Sequence, residues 1–180
     1  MSFESILKES LSSFASPIST ARLELVAVTP ESVLSEQAGD GRLGEILGCR
    51  VTAEWPLEDW EPHVLVWLLN HFAEDPKSVA WCRYILLRQD GDVPVLIGTL
   101  GAIPEFGYGI VPEFRRRGYA LEAAQAMIAF IQDTGGATQL VAHTYPELAG
   151  SIQILERCGF VLEGPGVEER TIRYKRMLSP

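Results

Sequence analysis

The sequence predicts one α/β (α+β) domain, in which a mixed and mostly antiparallel twisted sheet is flanked by helices. Two patterns support this prediction. Residues 78–89 are rich in β-branched and aromatic side chains and end at Asp90-Gly91, the turn signal of an antiparallel hairpin. From residue 106, strand, helix and strand patterns follow one another, and a helical crossover of this kind predicts a parallel strand pair. The length of 180 residues fits a single domain.

The composition limits the classes of partner. The formal net charge is -9, and an acidic chain lacks the basic face that a nucleic-acid backbone demands, so we expect no nucleic-acid partner. The same charge suits a cationic or amine-bearing substrate, although it also serves solubility. No apolar run approaches the roughly 20 residues that cross a bilayer, so we expect no membrane partner. The three cysteines lack metal-site spacing, which predicts no metal site and a reducing, cytoplasmic compartment.

The first 19 residues read as an extension of the domain that spans residues 20–180. They lack the basic start and long apolar block of a signal peptide. Apolar residues instead recur at helical spacing, which predicts a short amphipathic helix; they are Phe3, Ile6, Leu7, Leu11 and Phe14. Such a helix would pack on the domain or on a partner chain, so a homodimer is one expectation.

The first half of the domain mixes strands and helices. Residues 21–28 alternate apolar and polar side chains, which predicts a strand, and Thr29 and Pro30 form a helix start. The glycine-rich residues 39–48 predict a loop or a short helix. Residues 56–75 predict an amphipathic helix, because their apolar residues keep helical spacing; these are Trp60, Val64, Trp67, Leu68 and Phe72.

The second half follows the hairpin. Residues 94–103 supply the returning strand, and residues 106–111 form another strand that Pro112 closes. A helix is predicted over 117–133, ended by Gly135-Gly136, with a buried stripe of Ala120, Ala124, Met127, Ile128 and Ile131. A strand over 138–145, a helix over 151–157 and two strands, 160–164 and 171–178, complete the domain.

A dense positive cluster stands where the helix over 117–133 begins. Arg115, Arg116 and Arg117 precede Gly118, and a helix start adds unpaired backbone N–H groups and a partial positive charge. Gly118 lets the backbone approach an anion closely. These elements suit a pyrophosphate, whereas the alternative is a solvated basic turn. Neither of the usual glycine-rich phosphate-loop motifs is present.

The segment RRRGYA resembles the Q/R-x-x-G-x-G/A signature of the GNAT superfamily of acetyl-CoA-dependent N-acetyltransferases. Arg115, Gly118 and Ala120 occupy the signature positions. Three longer segments, TARLELVAVTPE, EFGYGIVPEFRRRGYALEA and SIQILERCGF, resemble the ribosomal-protein N-terminal acetyltransferase (Rim-type) branch. The resemblance runs from Thr20 to the end of the chain. It implies the GNAT fold, whose sheet contains a central splayed pair of parallel strands.

The resemblance also implies where acetyl-CoA binds. Its pyrophosphate would lie on residues 115–120, including Tyr119, and its pantetheine arm would pair with residues 108–111. The thioester would then sit in the gap between this strand and the strand at 138–145. A backbone N–H near Ile110 or Val111 would polarise the thioester carbonyl. The acceptor amine attacks directly in this family, with no metal and no covalent enzyme intermediate.

Direct attack requires a group that takes a proton from the amine. Glu105 precedes the cofactor strand and is the first candidate, although a solvated loop carboxylate is the alternative. His143 has a suitable intrinsic pKa and lies on the strand across the gap. Strand alternation could equally turn His143 outward.

The acid that protonates the leaving thiolate is less well marked. The family often has a tyrosine where this chain has Leu155, and Ser151 matches the serine that the Rim-type branch uses instead. Ser151 could also be a helix N-cap. Leu148 replaces an asparagine that commonly contacts the cofactor arm, and Tyr145 is a nearby substitute that we place among the substrate-binding residues.

The acceptor pocket is expected near the early helices. Trp55 could line it or pack in the core, whereas Trp67 has core spacing, and an acidic cluster could attract a cationic amine; the cluster comprises Glu54, Glu58, Asp59 and Glu61. The acceptor is a primary amine, either a protein N-terminus or a small molecule. A different class of function, a non-catalytic acyl-CoA-binding sensor, stays open because of Leu148 and Leu155.

Overall fold

The structure, a computed structural model, describes residues 15–58 and 60–178. The helix predicted within the N-terminal extension lies on residues 1–14, outside the described residues. Within the described ranges no helix is long and apolar enough to cross a membrane.

The larger of two sheets contains six strands. Antiparallel pairing joins neighbours in the order β1-β2-β4-β5, β6 pairs antiparallel with β5, and the short β3 pairs parallel with β5. The strands are β1 (Ile18–Ser19), β2 (Leu23–Ala27), β3 (Arg50–Val51), β4 (Cys82–Gln89), β5 (Asp92–Ala102) and β6 (Phe106–Ile110). The predicted hairpin is confirmed as β4 and β5, which turn at residues 90–91.

The smaller sheet has the order β7-β9-β8, and its neighbours are antiparallel; its strands are β7 (Gln139–Thr144), β8 (Val161–Pro165) and β9 (Ile172–Met177). Strands β6 and β7 lie side by side, yet they belong to different sheets. Among the described residues no backbone ladder joins them. This splay opens a gap in the middle of the molecule, and the mixed, mostly antiparallel α/β architecture is confirmed.

Five helices flank the sheets in the part of the chain that the structure describes. They are α1 (Pro30–Ala38), α2 (Leu43–Leu47), α3 (Pro62–Glu74), α4 (Tyr119–Thr134) and α5 (Ala149–Arg157). Thr29 and Ser32 form a capping box at the start of α1, and Gly39 ends it in the left-handed conformation. The glycine-rich region at 39–48 therefore contains a short helix, α2, which was one of the two predicted alternatives.

Two predicted boundaries were wrong by several residues. The helix predicted from residue 56 begins at Pro62, because residues 52–58 form turns and Pro62 suits the first helical turn. The strand predicted from residue 78 begins at Cys82, because Pro76–Trp81 form a short 3-10 helix capped by the Asp75 side chain. Both segments keep their predicted type.

Two apolar cores lie against the larger sheet. The core that includes α4 buries the predicted helical stripe; Ala124, Met127, Ile128 and Ile131 are buried, and Ala120 is partly buried. Each large aliphatic side chain buried there contributes about 1.5–3 kcal/mol. The other core packs α1 and α3 against β4 and β5. Because α4 is held along its length, its N-terminus is fixed beside the end of β6.

Gly98 sets the close approach of β5 and β6. A Cβ atom at Gly98 would lie 2.0 Å from the carbonyl oxygen of Gly109, which no side chain tolerates. Strand β6 therefore stays paired to β5 on one edge, and its other edge faces the gap toward β7.

Candidate active site

A tight turn links β6 to α4. Pro112–Phe114 form one 3-10 turn, and Phe114 is buried beneath it. Arg116 and Gly118 then adopt positive φ angles of 60° and 84°. Such a φ favours glycine, so Gly118 allows the turn to enter the helix.

The backbone N–H groups of residues 116–121 find no hydrogen-bond acceptor within the described chain. The first backbone N–H in α4 that has a helical acceptor is that of Glu122, which donates to the Gly118 carbonyl at 3.1 Å. Gly118 occupies the N-cap position, and no side chain caps the helix. The start of α4 thus presents several free donors together with the positive end of the helix dipole.

The three arginines beside this helix start lack acidic partners. Arg115 donates through Nε to the Ile110 carbonyl at 2.7 Å, and the Arg117 guanidinium lies 5.5 Å from the centre of the Phe114 ring. Within the described ranges, none of the three arginines, Arg115, Arg116 and Arg117, forms an ion pair. The three guanidinium groups and the start of α4 therefore form a positively charged surface, and no carboxylate of the described residues pairs with them.

Arg22, which the sequence analysis missed, braces this turn from β2. Its Nη1 donates to the Arg117 carbonyl at 3.0 Å, and its guanidinium stacks 4.5 Å from the centre of the Tyr119 ring. Its Nε bonds Glu122 Oε2 at 2.7 Å, and Thr20 donates to Glu122 Oε1 at 2.6 Å. The acidic residue in the first turn of α4 is thereby turned toward β2 and away from the free amides.

The backbone of β6 distinguishes Ile110 from Val111. The Val111 N–H donates to the Ile97 carbonyl at 2.9 Å, so it is already engaged and cannot polarise a thioester. In an antiparallel ladder, consecutive residues alternate in direction. The N–H of Ile110 and the N–H and carbonyl of Tyr108 therefore point away from β5 and toward the gap, whereas the Ile110 carbonyl already accepts from Arg115 Nε.

A cavity of about 440 Å³ occupies the gap between β6 and β7. Its lining comes from β6, β7, α5 and the segment before β9; it includes Glu105, Tyr108, His143, Tyr145, Leu148, Ser151, Leu155 and Glu168. The structure thus brings together the three predicted catalytic residues, Glu105, His143 and Ser151. Tyr145 lies at the same cavity, on the side of β7.

Glu105 and His143 form a bonded pair across the gap. Glu105 Oε2 lies 2.7 Å from His143 Nδ1, and the two side chains are 44% and 12% exposed. In the neutral imidazole Nδ1 then carries the hydrogen, which leaves a lone pair on Nε2. His143 Nε2 is buried and has no hydrogen-bond partner in the described chain. Of the two orientations that strand alternation allowed, His143 has the one that faces the gap.

Tyr108 is the functional candidate that sequence reasoning missed. Its hydroxyl donates to the Ser151 carbonyl at 3.1 Å and lies 3.5 Å from Ser151 Oγ. Burial raises the pKa of Tyr108 to about 12. The signal was present in the sequence, because Tyr108 is a hydroxyl-bearing residue on the strand expected to hold the cofactor arm.

The N-cap alternative for Ser151 was wrong. Helix α5 starts at Ala149, its N-cap residue is Leu148, and no side chain caps it. Ser151 is the third residue of the helix, in its first turn, and contacts Tyr108. Leu155 is buried below it, whereas Leu148 is 49% exposed at the cavity rim.

A second cavity, of about 580 Å³, adjoins the first. Residues of α3, β5 and the loop before β6 line it; they include Trp60, His63, Val64, Trp67, Leu68, Thr99, Leu100, Ile103 and Pro104. Glu105, Gly107 and Tyr108 line both cavities. The Glu105 carboxylate therefore stands where the two spaces meet.

Trp55 takes part in a buried polar cluster centred on Glu36. Trp55 Nε1 donates to Glu36 Oε1 at 2.7 Å, while Trp60 Nε1 and the Tyr84 hydroxyl each donate to Oε2 at 2.9 Å. Burial raises the pKa of Glu36 despite these three bonds. This arrangement fits the core-packing alternative for Trp55, and it is Trp60 that reaches the second cavity.

Two members of the predicted acidic cluster near Trp55 contact different partners. Glu54 accepts a hydrogen bond from the Glu113 backbone at 2.8 Å, and Glu61 lies 3.2 Å from His63. Asp59 lies outside the described residues. No group of three or more metal-ligating side chains occurs within the described ranges.

Comparison with known proteins gives matches over most of the chain. The family model of the acetyltransferase (GNAT) domain matches residues 33–161. A relative from Bacillus subtilis strain 168, named as an uncharacterized N-acetyltransferase, is 23% identical over 157 residues, covering 84% of this chain and 93% of the relative.

Solved structures share the fold. An acetyltransferase from Agrobacterium tumefaciens strain C58 matches with a TM-score of 0.59 and 22% identity over 89% of this chain and 94% of that one. RimL, a ribosomal L7/L12 alpha-N-protein acetyltransferase in complex with coenzyme A, matches with a TM-score of 0.58 and 16% identity, covering 91% of this chain and 98% of that one. The Salmonella typhimurium acetyltransferase that modifies the N-terminal serine of L7/L12 matches with a TM-score of 0.57 and 15% identity, covering 91% of this chain and 100% of that one.

These matches confirm the resemblance found in the sequence motifs. The matched domain covers well over half of the 180 residues and includes the arginine-rich turn before α4 and most of the gap. The chain is an enzyme of the GNAT acetyltransferase family.

Proposed function

We propose that this enzyme moves an acetyl group from acetyl-CoA to a primary amine by direct attack in a ternary complex. The observation that carries the proposal is the placement of two sites at opposite ends of one strand. The arginine-rich turn follows the end of β6, and the Glu105–His143 pair stands at its start. The five residues of β6 span roughly 16 Å.

The turn before α4 has the chemistry to hold the diphosphate of coenzyme A. The free amides of residues 116–121 and the side chains of Arg116 and Arg117 are unpaired donors, which a diphosphate satisfies. The N–H and carbonyl of Tyr108 and the N–H of Ile110 face the gap and can pair with an extended amide-bearing arm, while the Ile110 carbonyl is held by Arg115 Nε. The Ile110 N–H is then the candidate donor to the thioester carbonyl.

The Glu105–His143 pair is the proposed general base. An amine enters as an ammonium ion and must lose a proton before its nitrogen can attack. Glu105 stands where the cavities meet, and His143 shares the charge through the bond of 2.7 Å. As the nitrogen bonds to the acetyl carbon, the carbon–sulfur bond breaks and the electron pair leaves on sulfur.

Tyr108 and Ser151 are the proposed proton donors to that sulfur. Because burial raises the pKa of Tyr108 to about 12, its hydroxyl stays protonated at neutral pH and can donate. Ser151 Oγ lies 3.5 Å from this hydroxyl, so the two can act as one hydrogen-bonded unit. Together they replace the acid that Leu155 cannot supply.

The test is release of free thiol from acetyl-CoA, measured with a panel of small primary amines and N-terminal peptides, with mass spectrometry of the products. We expect release that depends on the amine and an acceptor that gains one acetyl group. The alternative function is an acyl-CoA-binding sensor, which Leu148 and Leu155 favour. Tight binding of acetyl-CoA by calorimetry with no turnover on any amine would support the sensor.

A further inference from the structure

We infer that the second cavity selects primary amines that carry an apolar body, aromatic or long aliphatic. The inference rests on the proposed function for the role of Glu105. It concerns the acceptor alone and leaves the acetyl donor unchanged.

The walls of the second cavity are mostly apolar. Val64, Trp67 and the buried Leu68 come from one face of α3, and Trp60 precedes that helix. Leu100 on the opposite wall is also buried. An apolar group that enters such a space gains about 25 cal/mol for each Å² of surface removed from water. A hydroxyl or a charge placed there would lose hydration, and away from the border at Glu105 and Tyr108 the described lining residues offer few polar side-chain groups, chiefly those of Thr99 and His63.

Charged groups in this lining are few. Glu105 is the carboxylate of the lining, and the His63 side chain, which is 75% exposed, lies 3.2 Å from Glu61. No lysine or arginine stands among the described lining residues. A carboxylate on the acceptor would find no cationic partner, so free amino acids fit poorly and simple amines or N-terminal residues fit well.

The geometry fixes which end of the acceptor faces the acetyl donor. Glu105, Gly107 and Tyr108 form the border between the cavities. A Cβ atom at Gly107 would meet nothing within 4 Å, so the strand leaves open space at this border. The amine therefore lies by Glu105, and the apolar body extends between Trp60 and Trp67.

The size of the cavity argues against a small polar side chain. About 580 Å³ lies within the ordinary range for small-molecule sites, and a serine side chain would leave most of these walls uncovered. The Salmonella typhimurium protein of similar fold is described as modifying an N-terminal serine. We therefore expect this chain to differ from it in acceptor choice.

The experiment compares matched acceptors in the thiol-release assay. Hexylamine and aminopentanol have similar length and differ in a terminal methyl or hydroxyl group. Two peptides that differ only in an N-terminal Phe or Ser form a second pair. We expect the apolar member of each pair to have a kcat/KM higher by about tenfold or more.

Trp67→Ala tests the cavity wall itself. Trp67 is 39% exposed and stacks on His71, so its removal leaves the core intact. We expect the preference for hexylamine to fall about fivefold, mostly through KM, because part of the apolar wall is lost. Val66→Ala is the control, since Val66 lies on the same helix, is 45% exposed and does not belong to the lining.

A second readout needs no turnover. Because Trp60 and Trp67 line the cavity, a bound amine should quench tryptophan fluorescence in the presence of coenzyme A. Saturable quenching by hexylamine, weaker with aminopentanol, supports the inference even if no acetyl transfer occurs, in which case the proposed function fails alone. Preference for the polar members, or no quenching and no turnover with either amine, overturns the inference.

Discussion

The Tyr108 hydroxyl reaches across the gap to Ser151, 3.1 Å from its carbonyl oxygen and 3.5 Å from its Oγ. The contact joins the middle of β6 to the first turn of α5. It places a phenol that stays protonated at neutral pH beside the path proposed for the cofactor arm. Tyr108 lines the same cavity as Leu155, the position at which the family resemblance leads one to expect a tyrosine.

Tyr108→Phe should lower kcat by roughly 10²-fold while the affinity for coenzyme A stays near normal, because a general acid contributes to the chemical step. Ser151→Ala should have a smaller effect, since the Ser151 carbonyl still accepts from Tyr108. Steady-state kinetics and calorimetry measure the two quantities. Tyr174→Phe is the matched control, because Tyr174 is a buried residue of the smaller sheet and its hydroxyl lies 3.5 Å from Glu156. An unchanged kcat in Tyr108→Phe would remove the phenol from the mechanism.

Glu105→Gln and His143→Ala should each lower kcat/KM by about 10²-fold, because the first removes the negative charge of the pair and the second removes the imidazole. Residues that act as one unit are not additive. The double variant should therefore be only slightly worse than the poorer single variant, whereas independent roles would multiply to about 10⁴-fold. For this double-mutant cycle, kcat/KM of the wild type, the two single variants and the double variant is measured with saturating acetyl-CoA at several pH values. Glu163→Gln, which breaks an exposed ion pair with Arg173, serves as the control.

Local patterns predicted most of this site. Helix and strand periodicity placed Glu105 before β6 and His143 on β7, and the arginine cluster marked the start of α4. The family resemblance then assigned Ser151 to the same gap. Each of these features is determined by residues that lie close together in the sequence, so sequence patterns were enough to predict it.

Contacts between residues far apart in the sequence could not be predicted from local patterns. The contact between Glu105 and His143 joins the loop before β6 to β7 of the other sheet, and the ion pair between Arg22 and Glu122 joins residues 100 positions apart. The Trp55 indole turns to Glu36 because α1 packs beside it, which no pattern around Trp55 indicates. Only the packing of the elements against one another determines such partners.

Arg117→Glu should raise the Kd for coenzyme A by about tenfold or more, because one charge-assisted bond contributes about 1.5–3 kcal/mol. Gly118→Asp should weaken binding as well, since its carboxylate would face the free amides and its φ of 84° disfavours a side chain. Calorimetry at low and high salt measures the change, which should shrink as salt rises. Arg50→Glu, an exposed substitution on β3, is the control. Equal affinity in Arg117→Glu and Arg50→Glu would contradict the placement of the diphosphate.

The brace between Arg22 and Glu122 should make stability depend on pH. Although burial acts to raise it, the hydrogen bonds from Thr20 and Arg22 lower the pKa of Glu122 below its ordinary value of 4.5. A carboxyl with a lower pKa in the folded state stabilises the protein above that ordinary value. The contribution is lost as the pH falls through the folded pKa.

Glu122→Gln should therefore lower the Tm by about 2–4 °C at neutral pH, a change of roughly 1 kcal/mol in a chain of this size. The difference between wild type and variant should narrow as the pH falls below 4.5, where the wild-type carboxyl gains its proton. Calorimetric melting curves across this range measure both effects. The control Glu163→Gln, at a more exposed ion pair with Arg173, should change the Tm less, because solvent screens that pair. A Tm difference in Glu122→Gln that stays constant down to acidic pH would show that Glu122 acts through packing, since only the ionised form holds Arg22 by charge.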